Sequence, residues 1–466
     1  MLFVMGTTAA SQQEPDKRAL VLDGATLFDG TGAPARTDSR IVVAGETIRC
    51  VGDAQSCPMP AGARRERLVG HWILPGLVDA HVHFSQTGWF DGRPDALDFT
   101  DELPYEQVQN RQKRDPRRYY DAYLCSGVTA VFDVGGFPWS WDLRAPAEHD
   151  PTAPHVAAAG PLVTHAPRAD LNLPGEKLMI DLSGEAAGRE IVRYLSAFGS
   201  DAVKVWFLEV EDTEPGTIDA RVLAVGDEAA SLDLPLIVHA TSLREAKVAL
   251  RAGASLLVHG VEDVSVDDEF LSLAQANGTI YTPTLIVSGG YLRMFEAVKG
   301  VSKPRIDDPN GCMDSETRKL ILSSPGHRSH PSVSELERNL DAYRERLADS
   351  YERKIANLLR VHRAGIPLAV GTDAGNPGTF HGPSIYAELE AMQAAGIEPP
   401  RLLVMATRNG ARAMNRDDIG TIEPGKIADL IVVSADPTID VANLRHLTHV
   451  VRAGKLHRFE ELKRGE

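Results

Sequence analysis

The sequence predicts an α/β fold: a closed (β/α)8 TIM barrel carrying a small β-sandwich built from both chain ends. Three observations predict it. Between residues 71 and 415, short β-type runs alternate with helical segments, and eight such runs can be placed. β-type runs return at both ends, over 19–70 and 416–466. The residues best suited to chemistry fall at the C-terminal ends of the central runs, where barrels of this kind carry their active sites. The 466 residues allow one large unit or two to three smaller ones. The expected division is a sandwich of 19–70 plus 416–466 and a barrel of 71–415.

The N-terminal part reads as strand, turn, strand. Ala19-Leu20-Val21-Leu22 precedes a turn-rich Asp29-Gly30-Thr31-Gly32. Arg40–Ala44 and Thr47–Val51 are split by Gly45-Glu46. The barrel strands are expected at 77–83, 127–134, 155–163, 201–207, 235–240, 254–259, 279–287 and 367–373. One unit is legible in detail. Pro235–His239 is a buried-strand run, and Ser242 with Glu245 forms a capping box signature. Leu243, Ala246 and Leu250 share a helical face, Gly253 stops the helix, and Leu256–His259 is the next strand. Residues 295–350 read as a loop over the barrel mouth leading into a charged helix from Ser334 to Lys354. After 415 the β pattern resumes at Gly420–Ile422, Asp429–Val433 and Val450–Lys455.

Composition bounds the function. Hydrophobic residues at 43% and charged residues at 24% are those of a folded globular chain. Lys+Arg total 49 against 65 Asp+Glu, a net charge of −16, and an acidic surface repels phosphate backbones. Nucleic acid is therefore excluded as a partner. No apolar run approaches the ~20 residues of a membrane span. Residues 1–18 read as a signal remnant or a disordered start. Leu2-Phe3-Val4-Met5 precedes a small-residue Thr8-Ala9-Ala10, but the stretch is too short for a whole signal and lacks a basic front. The localisation expected from it is periplasmic or secreted, with the cytoplasm as the alternative. Of four cysteines none forms a CxxC, which excludes a zinc ribbon. Cys50 and Cys57 flank a turn and suit a disulfide in an oxidising compartment, or two free thiols in a reducing one.

Chemistry is concentrated at a few positions. His81-Val82-His83 ends the first barrel strand, and i, i+2 residues of a strand point the same way. Both imidazoles can therefore reach one metal ion. A bare HxH is weak evidence, but Lys204, His239, His259 and Asp373 stand at the same level of other strands. Each has a bland alternative: a satisfied core histidine, or an Asp capping a helix. Lys204 lies between Val203 and Val205, where burial should lower its pKa. A neutral amine adds carbon dioxide, and the carbamate has two oxygens able to bridge two cations. The competing reading is an ion pair of Lys204 with Asp373 or Glu209. His165, after the third strand, is placed to meet a substrate or is an ordinary loop histidine.

In order along the chain, PGLVDAHVHF (75–84), VKVW (203–206), IVHATS (237–242), LLVHG (256–260) and VGTDAG (370–375) resemble the motifs of the amidohydrolase superfamily. NGARAMNRDDIGTIEPGKIADLIVV (409–433) resembles that family's exit into its β-sandwich. The chain is most similar to the imidazolonepropionase-like and Xaa-Pro dipeptidase-like branch. The resemblance implies a metal-dependent hydrolase with two divalent ions, zinc suiting the mixed His and carboxylate set. It implies that His81, His83 and Asp373 hold the more buried ion, His239 and His259 the second, and carboxylated Lys204 bridges them. A bridging hydroxide would attack, with Asp373 passing its proton to the leaving group. Two departures matter. Lys204 argues against the one-metal site expected of imidazolonepropionase itself, and Thr241 stands where the dipeptidase branch is expected to have a tyrosine. The expected reaction is cleavage of an amide or peptide-like C–N bond in a small-molecule substrate. Ester, lactone or phosphotriester hydrolysis is the alternative at the same site, and a non-catalytic binding protein is disfavoured because no ligand is missing. Homo-oligomerisation is left open.

Overall fold

The computed structural model describes residues 19–208, 214–336 and 340–463. The expectations for residues 1–18 and for Glu209 lie outside the described residues. Among the described residues, five strands come first: β1 (Leu20–Leu27), β2 (Arg36–Ala44), β3 (Thr47–Gly52), β4 (Arg64–Arg67) and β5 (Trp72–Pro75). Nine follow in the central part: β6 (Leu77–Val82), β7 (Val128–Asp133), β8 (His155–Ala158), β9 (Leu162–Thr164), β10 (Met179–Asp181), β11 (Val203–Trp206), β12 (Leu236–His239), β13 (Leu256–Val258) and β14 (Ile280–Thr282). Three come last: β15 (Leu430–Val433), β16 (Leu447–Arg452) and β17 (Lys455–Arg458).

The two chain ends meet in one sheet, ordered β17-β16-β15-β5-β1-β2-β3 with β4 also beside β1. The join is β15 antiparallel to β5, Leu430 opposite Pro75 and Val433 opposite Trp72. β5 leads through Gly76 directly into β6. A Cβ at Gly76 would lie 2.0 Å from Thr129 Oγ1, so the turn requires glycine. Gly76 N donates to Asp429 O at 2.8 Å, tying the start of β6 to the terminal sheet.

The central strands are parallel, in sheets ordered β6-β7-β8 and β10-β9-β11-β12-β13-β14. All residues of β6 and β7 are buried, as in parallel strands covered on both faces. Residues alternate between two cores. Ala202, Ile237, Leu256, Ile280 and Ala369 join one buried cluster with Val78, Ala130 and Ala157. Val203, Val205, Leu236, Val238 and Val370 face a second, larger cluster that takes in helical residues such as Val222, Val225, Ala246 and Leu358.

Several elements differ from expectation. The strand expected over 155–163 is broken into β8 and β9 at Ala159-Gly160-Pro161, where Gly160 adopts φ +69°. β10, pairing with β9, was not anticipated. The eighth run, 367–373, is not a continuous strand. It bonds to β14 on one side, Tyr281 N to Pro367 O at 2.9 Å and Ala369 N to Tyr281 O at 3.1 Å. On the other side Ala80 N donates to Val370 O at 2.9 Å and Asp373 N to His81 O at 2.8 Å. Only isolated bridges remain, Leu368 with Tyr281 and Ala374 with Val82, and Asp373 at the end of the run leaves extended geometry with φ +57°. Within this run Gly371 permits close approach, since a Cβ there would lie 2.7 Å from His81 Cβ and 2.6 Å from Thr282 Cγ2.

The unit read in detail is observed as expected. Its helix is Leu243–Arg251, capped by Ser242 and Glu245 in a complete capping box. The strand expected at 279–287 ends at Thr282 and gives way to a helix at Val287–Lys299. The charged segment expected from Ser334 to Lys354 is helical at Pro331–Leu336 and at Leu340–Arg363, so it runs past Lys354; residues 337–339 lie outside the described residues. Disulfides join Cys50 to Cys57 and Cys125 to Cys312, the second unanticipated because 187 residues separate its partners. Among the described residues no helix is long and apolar enough to cross a membrane.

Two consequences follow for stability. Replacing Cys125 and Cys312 together by serine should cost about 2–4 kcal/mol in urea unfolding of the oxidised protein; unchanged stability would show that this cross-link contributes nothing. Gly371→Ala should destabilise by about 1–3 kcal/mol through overpacking against His81 and Thr282, and a wild-type unfolding midpoint would contradict the close approach.

Candidate metal centre

His81 lies in β6 and His83 just beyond it, Lys204 in β11, His239 at the end of β12, His259 just past β13, and Asp373 in the bridging run. Because these elements run parallel, all six side chains emerge at the same end. All six line one cavity of about 250 Å³. A larger cavity of about 590 Å³, with Arg293, Arg305 and Arg445 in its wall, contains none of them.

The side chains converge closely. His83 Nε2 lies 2.9 Å and His81 Nε2 3.1 Å from Asp373 Oδ1. The two Nε2 atoms are 3.2 Å apart. Ligating atoms of His81, His259 and Asp373 lie within 4.8 Å of one another, and all three residues are buried. His239 joins through its ring, 4.3 Å from that of His259. Lys204 is 2% exposed, and among the described residues its ammonium forms no ion pair with Asp373.

Neighbouring groups set each orientation. His83 Nδ1 is 2.7 Å from Gly135 O, an acceptor only, so Nδ1 carries the proton and Nε2 presents its lone pair. Gly135 is in turn held by its N–H on Asp133 Oδ1, 3.1 Å away. His259 Nδ1 lies 2.8 Å from Thr284 Oγ1. Asn376 Nδ2 donates to Asp373 Oδ1 at 2.8 Å, and Tyr291 OH donates to Asn376 Oδ1 at 2.8 Å. Buried Asp79 accepts from Thr372 N at 3.0 Å and Thr372 Oγ1 at 2.6 Å, fixing the residue before Asp373. His259, Thr284 and Asp373 hold positive φ of 73°, 44° and 57°. Such conformations cost roughly 1–3 kcal/mol each, and strain of this kind gathers at functional sites.

Electrostatics fit a cation. Burial drives the pKa of His81 down to about 4, with Asp373 acting in the opposite sense. Burial also drives His239 and His259 well below the ordinary histidine range. The imidazoles of His81, His239 and His259 are therefore neutral at pH 7, the form that can offer a lone pair to a cation. Burial alone would raise Asp373, but its interaction with the His81 imidazole, 3.1 Å away, outweighs it and holds the carboxyl well below its usual range. Burial brings Lys204 down to about 7, with Asp373 opposing. His83 Nε2 and Asp373 Oδ1 are both acceptors at 2.9 Å, a contact that a bound cation relieves.

His165 does not line the cavity. It is half-buried beyond β9, with its ring edge-on to Phe207 at 6.0 Å. Other residues do line it that the sequence pattern did not single out, among them Arg93, Tyr291, Lys354 and Asn376. Their signal was absent because they lie in loops and helices outside any strand-end motif.

An imidazolonepropionase of Rhizorhabdus wittichii is 25% identical over 443 residues, spanning 86% of this chain and 90% of its own. A solved Xaa-Pro dipeptidase with bound methionine in its active site aligns at TM-score 0.69 and 23% identity, over 94% of this chain and all of its own. Molinate hydrolase aligns at TM-score 0.69 and 20% identity, over 95% of each chain. At these identities the solved structures establish a shared fold. The match to the amidohydrolase family profile runs from residue 72 to residue 457, across all six converging side chains, and the chain belongs to that family.

Proposed function

We propose that this protein is a binuclear metal-dependent hydrolase that cleaves an amide or peptide-like C–N bond of a small molecule. The observation that carries the reading is the convergence of His81, His83, His239, His259, Asp373 and Lys204 on one cavity. The two parallel sheets and the 367–374 run that bonds to both β14 and β6 are read as one closed barrel, with the terminal strands as its sandwich.

His81, His83 and Asp373 would hold one ion and His239 and His259 the second, zinc suiting this donor set. Lys204, brought near pKa 7 by burial, would be carboxylated and contribute the shared anionic ligand. Bound divalent ions supply an activated water near neutral pH and polarisation of the scissile carbonyl. Asp373, kept ionised by its imidazole neighbours, accepts a proton and delivers it to the leaving nitrogen. Asn376 holds the carboxylate in position for both transfers. Amide cleavage depends on that delivery, because an amine anion leaves poorly. Leu162, Leu171, Leu178 and Met179 give the cavity an apolar wall, which favours a substrate with an apolar portion. The two disulfides favour an oxidising compartment, in keeping with export.

Protein grown in ample zinc should contain two equivalents of metal per chain by elemental analysis, and His81→Ala should lose metal and activity together; one equivalent or fewer in the wild type would overturn the binuclear reading. Lys204→Ala should be inactive and partly rescued by acetate or propionate in place of the carbamate, whereas full activity without added acid would remove Lys204 from the site. Asp373→Asn should lower turnover of amides by about 10²–10⁴-fold, and that of an activated ester by much less. Equal losses on both would refute proton delivery by Asp373. Turnover of lactones or phosphotriesters with no cleavage of dipeptides or N-acyl amino acids would replace the C–N assignment.

A further inference from the structure

Two buried cations stand in the wall of the metal cavity, and they differ in how fully they are used. Arg93 is committed. Its Nε donates to Asp95 Oδ1 at 2.7 Å, and Nη2 reaches Asn376 Oδ1 at 3.4 Å and Tyr291 OH at 3.5 Å. It braces the Asn376 side chain that holds Asp373. Lys354 is not saturated in this way. It projects from the Leu340–Arg363 helix and is 4% exposed. Its Nζ lies 2.7 Å from Glu262 Oε2 and 3.5 Å from Ser288 Oγ, the second a weak contact. An ammonium has three protons to donate.

The position of Lys354 is specific. Its stem passes Gly260, the residue after His259, where a Cβ would lie 3.2 Å from Lys354 Cγ. The cavity that Lys354 lines shares Thr241, Glu262 and Ser288 with an outer chamber of about 450 Å³. Lys354 therefore stands at the neck between the two, beside the histidine end of the metal centre. Burying an ammonium with a single carboxylate costs several kcal/mol that packing alone does not require, since an apolar residue would fill the same space.

We propose that Lys354 binds the carboxylate of the substrate, with Glu262 as its counter-ion. The ligand class is then an amide bearing both a carboxylate and an apolar group, as in an N-acyl derivative of an apolar amino acid. Its carboxylate lies toward the neck and its apolar part against Leu162, Leu171, Leu178 and Met179. The inner space, about 250 Å³, is just below the ~300–1,000 Å³ of ordinary small-molecule sites, and suits a ligand of this size. The fate of the bound substrate rests on the hydrolase reading; the recognition of its carboxylate does not.

The test is a binding measurement on zinc-supplemented protein by calorimetry, with N-acetyl-L-leucine and its neutral isostere N-acetyl-L-leucinamide as probes. The wild type should bind the acid at least about tenfold more tightly than the amide, as expected of a charge-assisted hydrogen bond. Lys354→Met should bring the two affinities together, and Lys354→Arg should keep part of the preference. Because Lys354→Met leaves the half-buried Glu262 without its cation, the double variant Lys354→Met/Glu262→Gln serves as a second lysine-free protein and should give the same loss of preference. An undiminished preference in both lysine-free variants, or no preference in the wild type, overturns the proposal. If the acid binds in a Lys354-dependent way and is never cleaved, the C–N hydrolase reading fails and the recognition stands.

Discussion

Crowding of acceptor atoms in a place closed to water is the constraint around which this structure is arranged. His81 Nε2, His83 Nε2 and Asp373 Oδ1 sit within 3.2 Å of one another, on residues no more than 7% exposed. Lone pairs this close repel unless a proton or cation lies among them, and burial denies them water as a partner. The chain holds them there through neighbours that each fix one degree of freedom. Gly135 O sets the His83 tautomer, Asn376 sets the Asp373 carboxylate, and Asp79 sets Thr372. The positive φ values at His259 and Asp373 belong to the same arrangement, and Thr284, also at positive φ, holds the His259 ring.

The terminal sheet secures this geometry from the opposite end of the strands. β6 starts one residue after β5, so the phase of His81 and His83 is set by where β5 pairs with β15. A buried ion network reinforces the join. His155, in β8, lies 2.6 Å from Glu148 Oε2 through Nδ1 and 2.6 Å from Asp429 Oδ2 through Nε2. Burial works against a charged His155, yet Asp429 and Glu148 together raise its pKa above the ordinary value. Arg452, without exposure, lies beside the same group at 3.1 Å. Buried pairs of this kind fix relative placement more than they add net stability, which is what a site assembled from several strands requires.

The cavity divides its labour between its walls. One part is apolar, from residues 162–179. The other carries cations already held by carboxylates, Arg93 by Asp95 and Lys354 by Glu262. Pre-pairing spares each cation the full penalty of burial. The cavity lining comes from elements far apart in sequence: a loop after β6, the segment around β9 and β10, and the helix of residues 340–363.

The sequence by itself determined the alternation of strand and helix, the pairing of the two chain ends, the capped helix at Ser242, and six side chains that meet at one cavity. These were legible because each leaves a local trace: a period of two for strands, a cap three residues from its glutamate, a ligand at the end of an apolar run. Tertiary structure alone decided the rest. The break at Gly160, the pairing of β10 and the interrupted run ending at Asp373 depend on what each segment packs against. The Cys125–Cys312 bridge joins residues 187 apart, and no local pattern announces it. His165 has a plausible position in the sequence, yet its ring packs on Phe207 outside the cavity. Arg93 and Lys354 look like ordinary surface residues of a charged loop and helix, and only the folded chain turns them inward. The physical reason is common to all of these. Local sequence sets which backbone conformation is favoured and which face is buried, whereas the identity of the neighbours is set by contacts that close over long stretches of chain.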